Sequence, residues 1–295
     1  FCAACQQQSR DTDGGELITK LFHRKYVMPF SLSKVFTAVC VSTLLLTSCA
    51  KSPLGRNQLK LYSSDQLANM GQQTFDGMKT EQKVSKIPVT NQFVSCVADA
   101  ITKHVPKSVF AGEWELVVFD DPQVNAFALP GGKIGVYTGL LEVAENQDQL
   151  AAVIGHEIGH VIAEHGNERM SSSTLIGIGM EATNQLLQAN QIANNSMIMA
   201  AIGMGVQVGV QLPFSRTHET EADLIGLQLM ATSGFNPQQS VNLWENMAKA
   251  SGDNRQPELL STHPAPQSRI EKLSENMAPA MSLYRQAKDR PQCKK

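Results

Sequence analysis

Two histidines and a glutamate form the pattern in this sequence with the clearest chemistry, His156-Glu157-Ile158-Gly159-His160. At about 100° per residue, a helix puts His156 and His160 one turn apart on one face, so both imidazoles reach a single ion. Glu157 falls beside them, close enough to take a proton from water without binding the ion. Neutral nitrogen donors, an open position for water and a carboxylate base are what zinc-assisted hydrolysis needs. The sequence therefore predicts one Zn²⁺ per chain, with Glu157 as the catalytic base.

The element that must position these residues is a helix. Asn146 offers an N-cap, and an apolar-periodic segment runs from Leu150 to about His165. Two surface histidines with a salt-bridged glutamate are the competing explanation of the pattern. On an otherwise apolar helix that explanation is unattractive, because burying unpaired His and Glu is costly.

A third protein ligand must come from another part of the chain. The metzincin spacing would need Gly at 163 and His at 166, but Ala163 and Gly166 stand there, which excludes that class. His165 is nine residues beyond His156, which turns it to the far side of the same helix. We therefore expect His165 to have at best a structural or supporting role.

Glu219 is the best candidate for the third ligand. It lies four residues before Asp223, on one face of a helix predicted from Glu219 to Met230. Glu219 would bind zinc, while Asp223 would accept a hydrogen bond from the far nitrogen of a ligating histidine and so fix its tautomer. Glu221 faces elsewhere and is expected to be a solvated charge.

Several segments together resemble family forty-eight of the metallopeptidases, which includes the CAAX prenyl proteases and the HtpX-like gluzincins. The segments are His156–His160, Ser215–Asp223, Ser261–Pro264 with Arg269, and Asn125–Gly132. The resemblance implies an α+β, mostly helical gluzincin (zincin) metallopeptidase domain, with a small β-sheet beside the active-site helix. The site residues that it implies are the zinc ligands His156, His160 and Glu219, the base Glu157 and the supporting Asp223.

The N-terminal region predicts export from the cell. Lys34 precedes an apolar run from Val35 to Leu46, which is too short for a transmembrane helix of about 20 residues and has the outline of a signal peptide. The run ends in Leu-Thr-Ser-Cys, which resembles the lipobox of bacterial lipoproteins, in which Cys49 becomes the lipidated N-terminus. An ordinary cleaved signal is the alternative. These features predict a periplasmic location with a lipid anchor in the outer membrane.

The expected organisation follows from that signal, with Met28 as the start. Residues 1–27 would lie outside the functional protein, and 28–48 would be the lipoprotein signal peptide. Residues 49–63, which contain Pro and Gly but little hydrophobic content, suit a lipidated tether. Residues 64–295 would form the zinc metallopeptidase domain.

Of the six cysteines, only Cys96 and Cys293 would keep a thiol after signal removal and lipidation. Two leftover cysteines in an oxidising compartment are more often paired than free. Neither lies in the Cys-x-x-Cys arrangement that a zinc site would use. We expect a Cys96–Cys293 disulfide that closes a long loop.

The remaining elements are read from hydrophobic spacing. Apolar residues recur at helical spacing from about Ser64 to Val105, and strands are predicted at Trp114–Phe119 and Lys133–Tyr137. The second strand is either an edge on which an extended substrate adds or a core strand. Residues 171–212 are low in charge and rich in Met, Ala, Gly and Ile. Buried helices beside a cleft are favoured there over a membrane hairpin, because glycines and glutamines interrupt the run.

A formal net charge of -2 provides no basic field of the kind that nucleic-acid binding needs. The expected function is zinc-dependent endoproteolysis of unfolded or misassembled envelope proteins, with the membrane contacted through the N-terminal lipid. One rival is a lipoprotein assembly factor or chaperone with latent proteolysis. Another is a non-catalytic zinc scaffold, against which the presence of Glu157 argues.

His263 is the last candidate site residue. Pro264 follows it, so the imidazole would be presented from a stiff loop. It would either donate a hydrogen bond to the oxyanion of the tetrahedral intermediate or occupy the open position of zinc as a latch on the resting enzyme. A structural loop histidine is the third explanation.

Overall fold

The computed structural model describes residues 49–250, 258–263 and 267–295. The predicted signal peptide at 28–48 and residues 1–27 lie outside the described residues. The strands are β1 (Cys49–Lys51), β2 (Asn57–Leu59), β3 (Glu115–Phe119), β4 (Ala126–Leu129) and β5 (Lys133–Tyr137). The helices are α1 (Ser64–Glu81), α2 (Pro88–Thr102), α3 (Leu140–Val143), α4 (Gln147–Ile162), α5 (His165–Ala189), α6 (Asn195–Val206), α7 (Leu212–Thr232), α8 (Gln239–Ala250), α9 (Glu258–Thr262), α10 (Gln267–Glu275) and α11 (Met277–Gln286). This content confirms the α+β, mostly helical class.

The larger sheet has three strands in the order β3-β5-β4. β5 is parallel to β3 and antiparallel to β4, with Gly135 opposite Val117 on one side and Phe127 on the other. Of the two roles left open for this strand, the structure gives it the core one, because both sides are paired and Ile134 to Tyr137 are buried. The edge strand that packs against α4 is β4.

The helical spacing between 64 and 105 belongs to two helices, α1 and α2. The break follows from Pro88, since the residue before a proline disfavours helical geometry, and Ile87 is extended (φ -87°, ψ 107°). The linking segment pairs with β3 instead. The backbone N–H of Ser85 donates to the carbonyl of Val118 at 2.8 Å.

The segment before α1 packs onto the domain instead of hanging free. β1 and β2 pair antiparallel around a turn at Gly55, whose φ of 87° favours glycine. Ser52 and Gln58 are buried, and the amide of Gln58 donates to the carbonyl of Ala163 at 2.6 Å. The expectation of a loose tether over 49–63 is therefore wrong, because polar contacts dock this segment where hydrophobic content is low. Lipid attachment at Cys49 stays a prediction.

α4 begins where the sequence predicted and ends earlier. The side-chain oxygen of Asn146 accepts hydrogen bonds from the N–H groups of Asp148 and Gln149. At the other end Glu164 adopts the left-handed conformation (φ 50°, ψ 35°), so His165 begins α5 instead of continuing α4. The placement of His165 on the far side of the same helix is wrong, because this turn folds its ring back toward α4.

The outer part of α5, all of α6 and a π-helical turn at Gln207–Gln211 form an exposed arm, residues 172–212. Between Glu181 and Arg216 the sequence contains no charged residue, and α6 contributes no buried residue. The expectation of buried helices beside a cleft is wrong here, because apolar composition does not determine what covers a helix. By length and composition alone, Asn195–Thr232 is apolar enough to cross a membrane, with a mean hydropathy of 1.5 in its most apolar window.

α4 lies at the centre of the hydrophobic core, with Gln149 to Gly159 all buried. Helices α2, α7 and α8 and the edge strand β4 pack around it. On the far side of α2, Cys96 is disulfide-bonded to Cys293 in the C-terminal tail, with their Cα atoms 5.7 Å apart. The tail is thereby held against the early helices of the domain.

Candidate metal centre

The candidate centre lies where α4 crosses α7, and small residues let the two helices approach closely. A Cβ atom on Gly155 would lie 3.0 Å from the carbonyl oxygen of Gly226, and one on Gly159 would lie 2.8 Å from that of Ala222. Ordinary carbon contacts lie at about 3.5 Å or more. Side chains at these glycines would therefore push the helices apart. The close approach brings Glu219 on α7 to the two histidines of α4.

Four side chains converge on one point, with one atom each of His156, His160, Glu219 and His263 within 4.8 Å of one another. His156 Nε2 lies 3.1 Å from His160 Nε2 and 3.3 Å from Glu219 Oε2. His263 Nδ1 lies 3.3 Å from His156 Nε2 and 2.9 Å from Glu219 Oε2. His263 directly follows α9, and its backbone N–H donates to the carbonyl of Leu259. The structure thus brings together both histidines of the motif, the proposed third ligand and His263.

This donor set fits zinc. Tetrahedral Zn²⁺ with bonds of about 2.0–2.1 Å holds its ligand atoms about 3.3 Å apart. The separations here run from 2.9 Å to 3.5 Å. Glu219 Oε1 is buried, lies 3.5 Å from His160 Nε2 and has no hydrogen-bond partner within the described residues. Such an oxygen is costly to bury unless a cation satisfies it.

Glu157 lies beside the cluster without joining it. Its side chain is buried, and in the described part of the chain its Oε1 has no hydrogen-bond partner. This oxygen is 3.7 Å from His263 Nε2. Burial raises the pKa of the Glu157 carboxyl, against the opposing charges of His263 and His156. A raised pKa makes the carboxylate a stronger base, as the acceptor of a proton from water must be.

Asp223 lies behind His156, and its Oδ1 is 2.9 Å from His156 Nδ1. Asp223 also accepts two hydrogen bonds from Arg269, from Nε and Nη2, both 2.6 Å long. Arg269 is buried, lies 4.2 Å over the Trp244 ring and donates to the carbonyl of His263 at 3.1 Å. The sequence showed Arg269 only as part of the family resemblance. Its contacts hold both Asp223 and the backbone of His263.

Glu221 is buried, so its assignment as a solvated charge is wrong. Its Oε2 accepts a hydrogen bond from His165 Nε2 at 3.1 Å and lies 3.0 Å from the guanidinium of Arg56. Local spacing on α7 could not show a cation that comes from 165 residues earlier in the chain. Burial, together with the neighbouring His218, lowers the pKa of His165 to about 4 despite Glu221, so His165 is neutral at neutral pH.

Comparison with known proteins decides the family. The sequence pattern of peptidase family M48 matches residues 90–277, which is more than half of the chain. This chain belongs to peptidase family M48. The match confirms the resemblance seen in the sequence, the gluzincin fold class and the assignment as a zinc metalloendopeptidase, and the four-residue cluster agrees with a zinc cofactor.

Relatives of this M48 chain occur in eukaryotes and bacteria. Mitochondrial metalloendopeptidase OMA1 of Arabidopsis thaliana is 32% identical over 240 residues, 80% of this chain and 47% of that protein. Mitochondrial metalloendopeptidase OMA1 of Saccharomyces cerevisiae is 33% identical over 227 residues, 73% of this chain and 62% of that protein. The beta-barrel assembly-enhancing protease of Escherichia coli is 29% identical over 188 residues, 62% of this chain and 38% of that protein. The chain spans about half the length of the relatives that it matches.

These relatives contradict the predicted periplasmic location with a lipid anchor in the outer membrane. Four of them, 31% to 37% identical, are named as mitochondrial enzymes. The location was inferred from a short apolar run and the four residues that end in Cys49. The relationship to the mitochondrial enzymes extends over most of the chain and outweighs so short a pattern.

Proposed function

We propose that this M48 peptidase cleaves unfolded or misassembled proteins, among them proteins of the bacterial envelope. The observation that carries hydrolysis is the buried Glu157, whose Oε1 lacks a partner in the described chain and lies beside the four-residue cluster. A zinc site with a structural role alone needs no base beside the metal. Support for the substrate class comes from bacterial relatives named beta-barrel assembly-enhancing protease.

Each residue of the site has a role in the proposed reaction. His156, His160 and Glu219 would hold the zinc ion. When bound, zinc supplies Lewis-acid chemistry that polarises the scissile carbonyl and lowers the pKa of water. Glu157 takes the proton of the attacking water and passes it to the leaving amine. Asp223 accepts the Nδ1–H of His156 and so directs Nε2 of that ring toward the cluster.

Strand β4 is the edge that suits an extended substrate. It lies against α4, and only its β5 side is paired within the described sheet. A polypeptide that adds to the open side would be held by main-chain hydrogen bonds, which impose little side-chain preference. Because a chain must be extended to pair in this way, such binding selects unfolded segments over folded ones.

His263 stands at the fourth corner of the ligand set, and we favour its role as a latch. Its Nδ1 lies 2.9 Å from Glu219 Oε2, where it fills the space through which water would reach Glu157. Arg269 and α9 hold the backbone of His263 in this position. In the resting enzyme the imidazole excludes water, and hydrolysis requires that it move aside. The alternative role, as a donor to the oxyanion, requires His263 to contact the substrate instead.

Hydrolysis of casein, an unfolded protein, tests the proposed function. The purified chain should cleave casein, and Glu157→Gln should keep zinc and fold but lose cleavage, since the amide cannot accept the proton. Glu219→Ala should lose the metal. Equal cleavage by Glu157→Gln and the parent would refute the assignment of the base. If the parent prevents aggregation of unfolded proteins without cutting them, the assembly-factor function replaces the proteolytic one.

A further inference from the structure

A second buried polar cluster adjoins the metal centre, and its cation comes from the N-terminal segment. Arg56 lies in the turn between β1 and β2. Its Nη1 and Nη2 each donate to one carboxylate oxygen of Glu168 at 2.6 Å, and Nη2 also lies 3.0 Å from Glu221 Oε2. Both carboxylates are buried, with only 3% and 5% of their side-chain surface exposed. One guanidinium thus neutralises two acids on two different helices, α5 and α7.

His165 connects this cluster to the metal centre. His160 Nε2 faces the other ligand atoms, so Nδ1 is its far nitrogen, and it lies 2.9 Å from His165 Nδ1. With Nε2 committed to a metal, His160 Nδ1 carries the hydrogen and donates it to His165 Nδ1. His165 Nε2 then donates to Glu221 Oε2 at 3.1 Å. The contacts run without a gap from Arg56 through Glu221 and His165 to His160.

We infer that Arg56, Glu221 and His165 are positioning residues for the zinc ligand His160. The carboxylate of Asp223 does for His156 what this chain of contacts does for His160, since each holds the far nitrogen of one ligand. Outer partners of ligating histidines fix ring orientation and tautomer, and losing one commonly weakens metal binding by about 10- to 100-fold. Docking of the β1–β2 segment thus completes the metal site from a distant part of the sequence.

The charge of Arg56 makes this contribution specific. Without it, Glu168 and Glu221 would remain buried near each other with no shared cation, and two such carboxylates repel. Glu221 would then turn toward solvent or take up a proton, and in both cases His165 loses its fixed acceptor. A neutral residue of similar length, as in Arg56→Met, removes the cation while keeping most of the packing.

Zinc affinity, measured by competition with a chelator, tests the inference. Arg56→Met and the nearly isosteric Glu221→Gln should each weaken zinc binding by about 10-fold or more. Because they act along one path, the double variant should lose much less than the sum of the two effects. The visible absorption of the Co²⁺-substituted protein should change in both variants, since it reports the geometry of the ligands. Lys60→Met is the matched control, because it removes an ion pair with Glu164 from the same segment without touching the path.

The inference rests on His160 as a ligand, which His160→Ala tests separately by loss of zinc. It is overturned if Glu221→Gln binds zinc as tightly as the parent with an unchanged Co²⁺ spectrum. It is also overturned if Arg56→Met and Lys60→Met weaken zinc binding equally, since docking alone would then explain the effect. Neither readout depends on peptide hydrolysis, so failure of the proposed substrate class leaves the test intact.

Discussion

The crossing of α4 and α7 leads to a sharp prediction for Gly226→Ala. The added Cβ would lie 2.7 Å from the backbone nitrogen of His156 and 2.8 Å from the carbonyl carbon of Gly155. Both are backbone atoms, so no side chain can rotate out of the way. To reach an ordinary contact of about 3.5 Å, the two helices must separate by about 0.8 Å.

That separation would move Glu219 away from the histidines of α4. Zinc–ligand distances tolerate changes of about 0.2 Å. We therefore expect zinc affinity to fall at least about 10-fold, equivalent to about 1.4 kcal/mol. Overpacking adds a destabilisation of about 1–3 kcal/mol, which exceeds or cancels the gain of about 1 kcal/mol from replacing a helical glycine with alanine.

Gly177→Ala is the matched control, because Gly177 lies in α5 and an added Cβ there meets nothing within 4 Å. It should raise the free energy of unfolding by about 0.5–1 kcal/mol and leave zinc affinity unchanged. Chelator competition measures the affinity, and urea unfolding of the metal-free protein measures the stability. The reasoning fails if Gly226→Ala binds zinc like the parent and is as stable as Gly177→Ala.

Three further predictions follow from the same contacts. If His263 is a latch, His263→Ala raises casein hydrolysis; loss of about two orders of magnitude in rate with zinc retained would indicate the oxyanion role, and no change would eliminate both. Burial opposes ionisation of Glu168, but bonds from His218, Arg56 and Gln58 lower its pKa to about 2. Its stabilisation is therefore full above about pH 4.5 and disappears toward pH 2, so the difference in unfolding free energy between parent and Glu168→Gln should shrink between about pH 6 and pH 3, and a constant difference would contradict this. Replacing Cys96 and Cys293 with serine should lower the free energy of unfolding by about 2–4 kcal/mol in urea titrations, and an unchanged midpoint would show that the tail docks without the bond.

Local spacing revealed the parts of the site that lie within one helix. His156, Glu157 and His160 share a turn, and Glu219 and Asp223 share another, so helix geometry alone suffices to group them. Arg56 gave no such signal, because it lies in a polar turn and meets its partners only through the tertiary fold.

Burial was the quantity that the sequence expressed least well. The apolar arm looked like core, yet Met197 is 69% exposed and Met204 is 68% exposed. Glu221 looked solvated, yet it is only 4% exposed. Hydrophobic content limits how much surface a chain is able to bury but does not say which elements cover which. The small role first given to Gly155 fails for a related reason, since a close helix crossing is a property of two segments together.

The disulfide between Cys96 and Cys293 has a topological consequence for an enzyme that cuts polypeptides. All four residues of the metal cluster and the whole exposed arm lie within the covalent ring that this bond closes. A single cut at any peptide bond in the ring, by this enzyme or by another, opens the ring without releasing a fragment. The nicked molecule would run as one species under non-reducing electrophoresis and as two pieces once the bond is reduced. Damage to the arm would thus leave the two parts of the catalytic centre covalently joined.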